Sequence, residues 1–348
     1  MTQLTGCCAY YGIDIGKTLF HVCGCDTKGK PLLRKKFKRP QLIEFFANAE
    51  LAVIGMEACP SSQWLARKLK AMGHDSKIMS AQFVKPYLKN QKNDANDAEA
   101  IAEALQRPTM RFVAHKSVDQ SDTQALHRIR DRLIKQQTQL INQTRGLCWE
   151  NGVTIGKGVA TFHRDMPAVL EDAENDLSPR MRRLITRLWE DTRSTQARIK
   201  EVSLEIKALA AHDGLARRLM TIPGVGELAA TALISAVGNP KSFRRGRDLS
   251  AWIGLVPRQH TTGGTPRLLG ISKRGHPYLR RLLIHGARAV KTHLNRERDK
   301  LGPWLDSAEE RMHANKVIVA LANKIARIAW VIMTQPGATY DKGEPVAA

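Results

Sequence analysis

Four carboxylates and a pair of hydroxyls are the residues of this chain whose types and spacing could do chemistry. "NDANDAEAIAEAL", residues 93–105, sets Asp94 and Asp97 three positions apart at the mouth of an alanine-rich stretch that reads as a helix, so both lie on one helix face. Aspartate is favoured at helix N-termini, where it bonds orphan amides and suits the dipole, and an ordinary cap is one reading of the pair. The other is a metal site, because two such carboxylates repel each other unless solvent or a cation intervenes. Asp14, in "AYYGIDIGK", lies among Tyr11, Ile13 and Ile15 in a stretch that reads as a buried strand, where a carboxylate is costly without a partner. Glu57 closes a second strand-like run, "LAVIGME", and alone reads as a solvated strand end. Four such acids brought to one spot require cations. Two Mg²⁺ ions roughly 4 Å apart could then activate a nucleophile and stabilise a leaving oxygen in phosphoryl transfer.

The hydroxyls lie in "PRQHTTGGTPRLLGISKRGHPYLRRLLIHGARAV", residues 257–290, where Thr261 and Thr262 precede Gly-Gly. Glycines there let a backbone approach closely, and Arg258, Arg267, Lys273, Arg274, Arg280 and Arg281 make the stretch basic. Such a loop suits a backbone phosphate, which a held hydroxyl could attack; a phosphate-binding loop without chemistry is the competing reading. Upstream, "LMTIPGVGELAATALISAVG" has the cadence of a helix-hairpin-helix. Gly224 and Gly226 would allow a tight turn whose amides receive a phosphate, although a plain helix connection fits equally.

The elements that must carry these residues follow from periodicity. "LFHVCGC" and "PLLRKKF" flank "DTKGK", a hairpin signal with glycine in the loop. Helix "QLIEFFANA", strand "LAVIGME", helix "SSQWLARKLKAMG" stopped by Gly73, strand "SKIMS" and the Asp94 helix follow. Three strands in meander and then alternation give βββαβαβα, the order of an RNase H-like domain. In such a sheet the first strand is central, the Glu57 strand runs beside it, and the Asp94 helix packs across both. Leu126, Leu133, Leu140 and Leu147 then recur every seven residues, with Ile129 at the matching d position, as in a coiled coil. A second run carries Ile185, Leu188, Ile199, Val202, Ile206 and Leu209, with Thr192 and Thr195 between. The two could pair as one hairpin or across subunits. The expected class is therefore α/β plus α, divided as residues 1–115, 116–212 and 213–340 with a tail at 341–348.

Bulk composition narrows the partner. At 348 residues and 43% apolar, the chain is long and apolar enough for real cores. Lysine and arginine number 55 against 33 acids, a net charge of +22 that favours a polyanion, by default nucleic acid. Cys7, Cys8, Cys23, Cys25, Cys59 and Cys148 form no CxxC pair or zinc ribbon and read as reduced thiols of a cytosolic protein. The N-terminus lacks a signal-peptide pattern. Lys324 and Arg327 interrupt the apolar stretch "VIVALANKIARIAWVIM", which argues against a membrane span.

"GIDIGK", "MEAC", "NDANDAEAIAEA", "IPGVGELAATALISAVGNPKSF", "WIGLVPRQHTTGGTPRLLGISKRG" and "LRRLLIHGARAV" together resemble the DEDD-type insertion-sequence transposases related to the Piv DNA invertases. The likeness runs in order through nearly the whole chain. It implies a RuvC-like N-terminal domain whose Mg²⁺-binding tetrad is Asp14, Glu57, Asp94 and Asp97. It further implies a C-terminal domain with a nucleophilic hydroxyl, a structured noncoding guide RNA (a bridge or seeker RNA), donor and target DNA, dimers and tetramers, and a place in the bacterial cytosol or nucleoid. Where the family has serine, the best-matching residue is Thr261, followed by Thr262; the extra methyl restricts χ1 and crowds an in-line attack. Ser272, in "GISKRG", is the fallback. A Holliday-junction nuclease using the same tetrad and water, without a covalent link, is the nearest rival, separated by trapping an adduct. A non-catalytic RNA-binding protein is the rival from another class, and it expects loss of Asp14 to leave function intact.

Overall fold

The computed structural model describes residues 8–89 and 93–343; Cys7 and residues 344–348 of the expected tail lie outside them. The chain divides after Ser117 into two compact units.

The first unit runs β1 (Tyr10–Ile15), β2 (Leu19–Cys25), β3 (Pro31–Lys38), α1 (Arg39–Ala47), β4 (Val53–Glu57), α2 (Ser62–Ala71), β5 (Asp75–Met79), α3 (Ala81–Val84), α4 (Asp94–Leu105) and β6 (Phe112–Val113). The sheet order is β3-β2-β1-β4-β5-β6. The first three strands form an antiparallel meander, whereas β4 pairs parallel with β1 and β5 parallel with β4. The Asp26 side chain organises the β2–β3 turn by accepting from the amides of Lys28 and Lys30, each at 2.8 Å. The expected order and the central β1 are present, while α3 and β6 are too short to leave a periodic signal.

Alternation assigns the faces of this sheet. Ile13, Phe20, Val22, Ile54 and Met56 face a core that includes Leu42, Phe46, Leu65 and Leu69 of α1 and α2. Gly12, Asp14, His21, Cys23, Gly55 and Glu57 fall on the opposite face by register, and α4 covers it: Cys23 and Cys25 pack with Ala98 and Ala102. Close approach is built into the sequence here. A Cβ on Gly12 would stand 2.1 Å from the Ala98 carbonyl oxygen, and one on Gly55 would meet Leu105 at 3.1 Å.

The second unit contains α5 (Val118–Glu150), α6 (Val159–Glu171), α7 (Pro179–His212), α8 (Gly214–Leu219), α9 (Glu227–Val237), α10 (Gly246–Ile253), β7 (Pro257–Thr262), β8 (Thr265–Ile271), α11 (Pro277–His293), α12 (Leu301–Arg311) and α13 (Ala314–Thr334). The long helices α5 and α7 pair antiparallel within the chain: Arg130 Nε donates to Ser203 Oγ at 2.8 Å, and the Gln137 amide to Gln196. Their seam corrects the leucine register. In α5 the buried stripe includes His127, Ile141 and Cys148, each one residue on from a heptad leucine, with Gln137 and Thr144 between them, and of the four leucines only Leu133 is fully buried. Ile129, expected at the seam, is 42% exposed. The buried polar residues are each satisfied, Gln137 by Gln196 across the seam, Thr144 by the Leu140 carbonyl of its own helix and His127 by Thr231 of α9 and Tyr278 of α11, which a count of apolar spacing cannot register. The α7 stripe follows the expected Ile185, Thr192, Thr195, Ile199 and Ile206, whereas Leu209 is exposed.

The main core of this unit gathers around α9, α11 and α13. Helix α13 is long and apolar enough to cross a membrane, with mean hydropathy 1.7, but Val317, Leu321, Ile325, Ala329 and Ile332 are buried inside this core. Gly224, at φ +79, has its Cα face against the Gly286 carbonyl, where a Cβ would stand 2.6 Å from the oxygen. Its glycine thus serves the packing of the α8–α9 turn on α11, while Gly226 faces open space.

Candidate active site

Asn93 caps α4. Its side chain accepts from the Ala95 amide at 3.0 Å, and Asp94 and Asp97 lie inside the first turn. The cap is therefore already supplied, and the two aspartates are left for another role. Asp14 stands at the C-terminal end of β1, Glu57 at the end of the neighbouring β4, and the mouth of α4 lies over that end of the sheet.

Electrostatics record the convergence. The Asp14 carboxyl is held above its ordinary pKa by burial first, then by the charges of Asp97 and Asp94, with His21 opposing. Glu57 is raised by burial, then by Asp14 and Asp97, with Lys85 opposing. The charges of Asp94 and Asp97 thus act on Asp14, and those of Asp14 and Asp97 on Glu57, so the four sequence-predicted acids lie near one another. Donor atoms of Asp14, His21 and Asp94 lie within 4.8 Å of one another. An oxygen-rich set of this kind fits a hard divalent cation.

Sequence reading missed His21 and Lys85. His21 pairs across the antiparallel ladder with Asp14 and its Nδ1 is 3.7 Å from Asp94 Oδ2. The signal was present: a short connection between two strands sets the register, and register places position 21 opposite position 14.

In the second unit, Thr261 and Thr262 end β7 in a two-stranded hairpin, a strand pair where a loop was expected. Gly263 and Gly264 have φ of +56° and +78°, the geometry of a type I′ turn that connects strands tightly. The two hydroxyls differ in their partners. Thr261 Oγ1 accepts from Gln259 Nε2 at 2.9 Å, whereas Thr262 Oγ1 lies 3.3 Å from His260 Nδ1. Both threonines are exposed, as are Arg258, Arg267, Lys273 and Arg274. Arg280 instead spends a guanidinium nitrogen on the Ile253 and Arg274 carbonyls, at 2.8 and 3.0 Å, and Arg281 pairs with Asp131. Ser272 keeps a buried hydroxyl oxygen with no hydrogen-bond partner, so its oxygen is not presented to solvent.

Residues 11–148, which hold the carboxylates, match a DEDD transposase model of the IS110 type, and residues 216–301, which hold the hairpin, match the Transposase IS116/IS110/IS902 family. The chain is 44% identical over 324 residues to the transposase for insertion sequence element IS1111A of Coxiella burnetii, covering 93% of this chain and 89% of that protein. The chain belongs to the IS110 family of transposases. It is 42% identical to the transposase for insertion sequence element IS1328 of Yersinia enterocolitica, over 95% of this chain and 98% of that one. A more distant relative of the transposase is the pilin gene-inverting protein of Moraxella bovis, 28% identical over 34% of this chain and 36% of that protein. Membership makes the protein an enzyme that cuts and rejoins DNA.

Proposed function

We propose that this transposase is an RNA-guided, site-specific DNA recombinase that moves an insertion sequence through a protein–DNA ester. The observation that carries the reading is the convergence of Asp14, Glu57, Asp94 and Asp97 at one end of a sheet, with Asn93 already serving as the helix cap. These acids would hold Mg²⁺ or a similar divalent cation, which when bound supplies positive charge to a phosphate. The overall order of the first unit supports its reading as a RuvC-like RNase H fold. The α5–α7 pair supports a separate role for residues 116–212, and residues 213–340 carry the hairpin.

In the second unit a threonine hydroxyl of the hairpin attacks the DNA phosphorus. One P–O bond forms to the threonine oxygen as the bridging P–O bond breaks, leaving a 3′ hydroxyl on the departing strand. For Thr262 the His260 imidazole is placed to take the proton. Arg258, Arg267, Lys273 and Arg274 stabilise charge on the phosphate, and a later 3′ hydroxyl reverses the ester. Arg280 supports the segment before α11 through the Ile253 and Arg274 carbonyls, Arg281 is paired with Asp131, and of the two turn glycines Gly226, rather than Gly224, has open space on its Cα face for an approaching phosphate. The guide RNA, donor and target DNA, dimers or tetramers, and action in the bacterial cytosol or nucleoid follow from the resemblance, with the net charge of +22 in support.

Asp14→Asn or Asp97→Asn is expected to abolish divalent-cation-dependent strand cleavage while circular dichroism shows the fold retained. Cleavage at the normal rate with the same metal dependence in either variant would remove the carboxylate site from the mechanism.

A further inference from the structure

Resting on the reading of the carboxylates as a cation site, we infer that His21 is a direct ligand of the cation held by Asp14 and Asp94, and that its imidazole shifts this position from Mg²⁺ toward Mn²⁺. Three observations carry this. His21 is 8% exposed in the middle of a sheet, so its ring has little freedom to move away. It lies directly across from Asp14 in the β1–β2 ladder, on the face that α4 covers. Its Nδ1 is 3.7 Å from Asp94 Oδ2, too long for a hydrogen bond. With metal–ligand bonds of about 2.1 Å, neighbouring donors of an octahedral ion lie roughly 3.0 Å apart and opposite donors roughly 4.2 Å. The His21–Asp94 separation of 3.7 Å falls between those two spacings, and all three donor atoms lie within 4.8 Å of one another, close to the span of one coordination shell.

The donor set has a chemical consequence. Carboxylates and water suit Mg²⁺, Ca²⁺ and Mn²⁺ alike, whereas imidazole is a transition-metal ligand that Mg²⁺ accepts poorly. A site of carboxylates alone would leave Mg²⁺ and Mn²⁺ nearly equivalent to the protein. One buried nitrogen at the junction of β1, β2 and α4 separates them.

The test uses the full chain and the ions themselves. Mn²⁺ bound to the wild-type protein should show, by pulsed electron paramagnetic resonance, the nitrogen modulation of a coordinated imidazole, a readout independent of activity and of any variant. His21→Gln, close in volume and still polar, should lose that modulation and weaken Mn²⁺ binding about tenfold or more, with Mg²⁺ binding changed less than about threefold. Bound Mn²⁺ without nitrogen modulation, or an unchanged ratio of Mn²⁺ to Mg²⁺ affinity in His21→Gln, would overturn the ligand role while leaving the carboxylate site standing. Binding of Mn²⁺ to Asp14→Asn as tightly as to wild type would overturn both.

Discussion

At the residue scale, the acids were legible because each breaks a local rule. Asp14 interrupts an apolar strand, and "NDAND" offers more caps than one helix needs. His21 broke no such rule: a histidine in a strand is ordinary, and only the register with Asp14 gives it meaning. His127 is a second buried histidine with a measurable role. Its ring nitrogens contact Tyr278 Oη and Thr231 Oγ1, each at 2.9 Å, and burial, then the nearby Arg130, pushes its pKa down to about 4. The depressed folded value means the unfolded chain binds the proton first as pH falls below about 6.5. The full contribution of neutral His127 is thus present above that pH and is lost progressively toward 4. For this one group, unfolding in urea should show about 2 kcal/mol less stability at pH 5 than at pH 7.5. His127→Gln should remove that part of the slope, and an unchanged slope in the variant would contradict the assignment.

At the scale of elements, the alternation of the first unit could be read because its strands are apolar on one face and its helices are amphipathic. The β7–β8 hairpin could not, since both its strands are exposed along nearly their whole length and carry no buried alternation. Its only marker was the Gly-Gly turn. The buried stripe of α5 differs from the leucine register because it runs through His127, Gln137 and Thr144, polar residues that find partners and that apolar spacing does not mark. Gly12 and Gly55, each two residues before an acid, carry no periodic signal, yet they let α4 approach the sheet and bring Asp94 and Asp97 to Asp14 and Glu57. Gly12→Ala places a methyl 2.1 Å from the Ala98 carbonyl oxygen, and backbone cannot yield as a flexible side chain does. The expected outcome is a loss of about 1–3 kcal/mol together with weakened divalent-cation binding. Thermal melts with and without Mn²⁺ check it: a variant with wild-type stability and an equal Mn²⁺-induced rise in Tm would show that the close approach does not position the site.

At the scale of the whole molecule, the charge of +22 points to the class of partner, and the order of the motifs along the chain carries the family likeness. What composition left open was which cations face outward. Arg258, Arg267, Lys273 and Arg274 are exposed, whereas Arg280 and Arg281 are engaged within the unit. Replacing those four by glutamine should reduce the slope of log affinity for duplex DNA against log salt by up to about 3.6, at about 0.9 per phosphate contact. An unaltered slope would place the DNA contacts elsewhere. The most direct measurement is to trap the protein on its DNA, trim the strand with nuclease and locate the residual phosphate by mass spectrometry. The expected result is an adduct on Thr261 or Thr262, lost in the corresponding alanine variant and kept when Thr261 is changed to serine. Cleaved DNA with no adduct on the protein, or a phosphate on Ser272, would contradict a hydroxyl nucleophile in this hairpin.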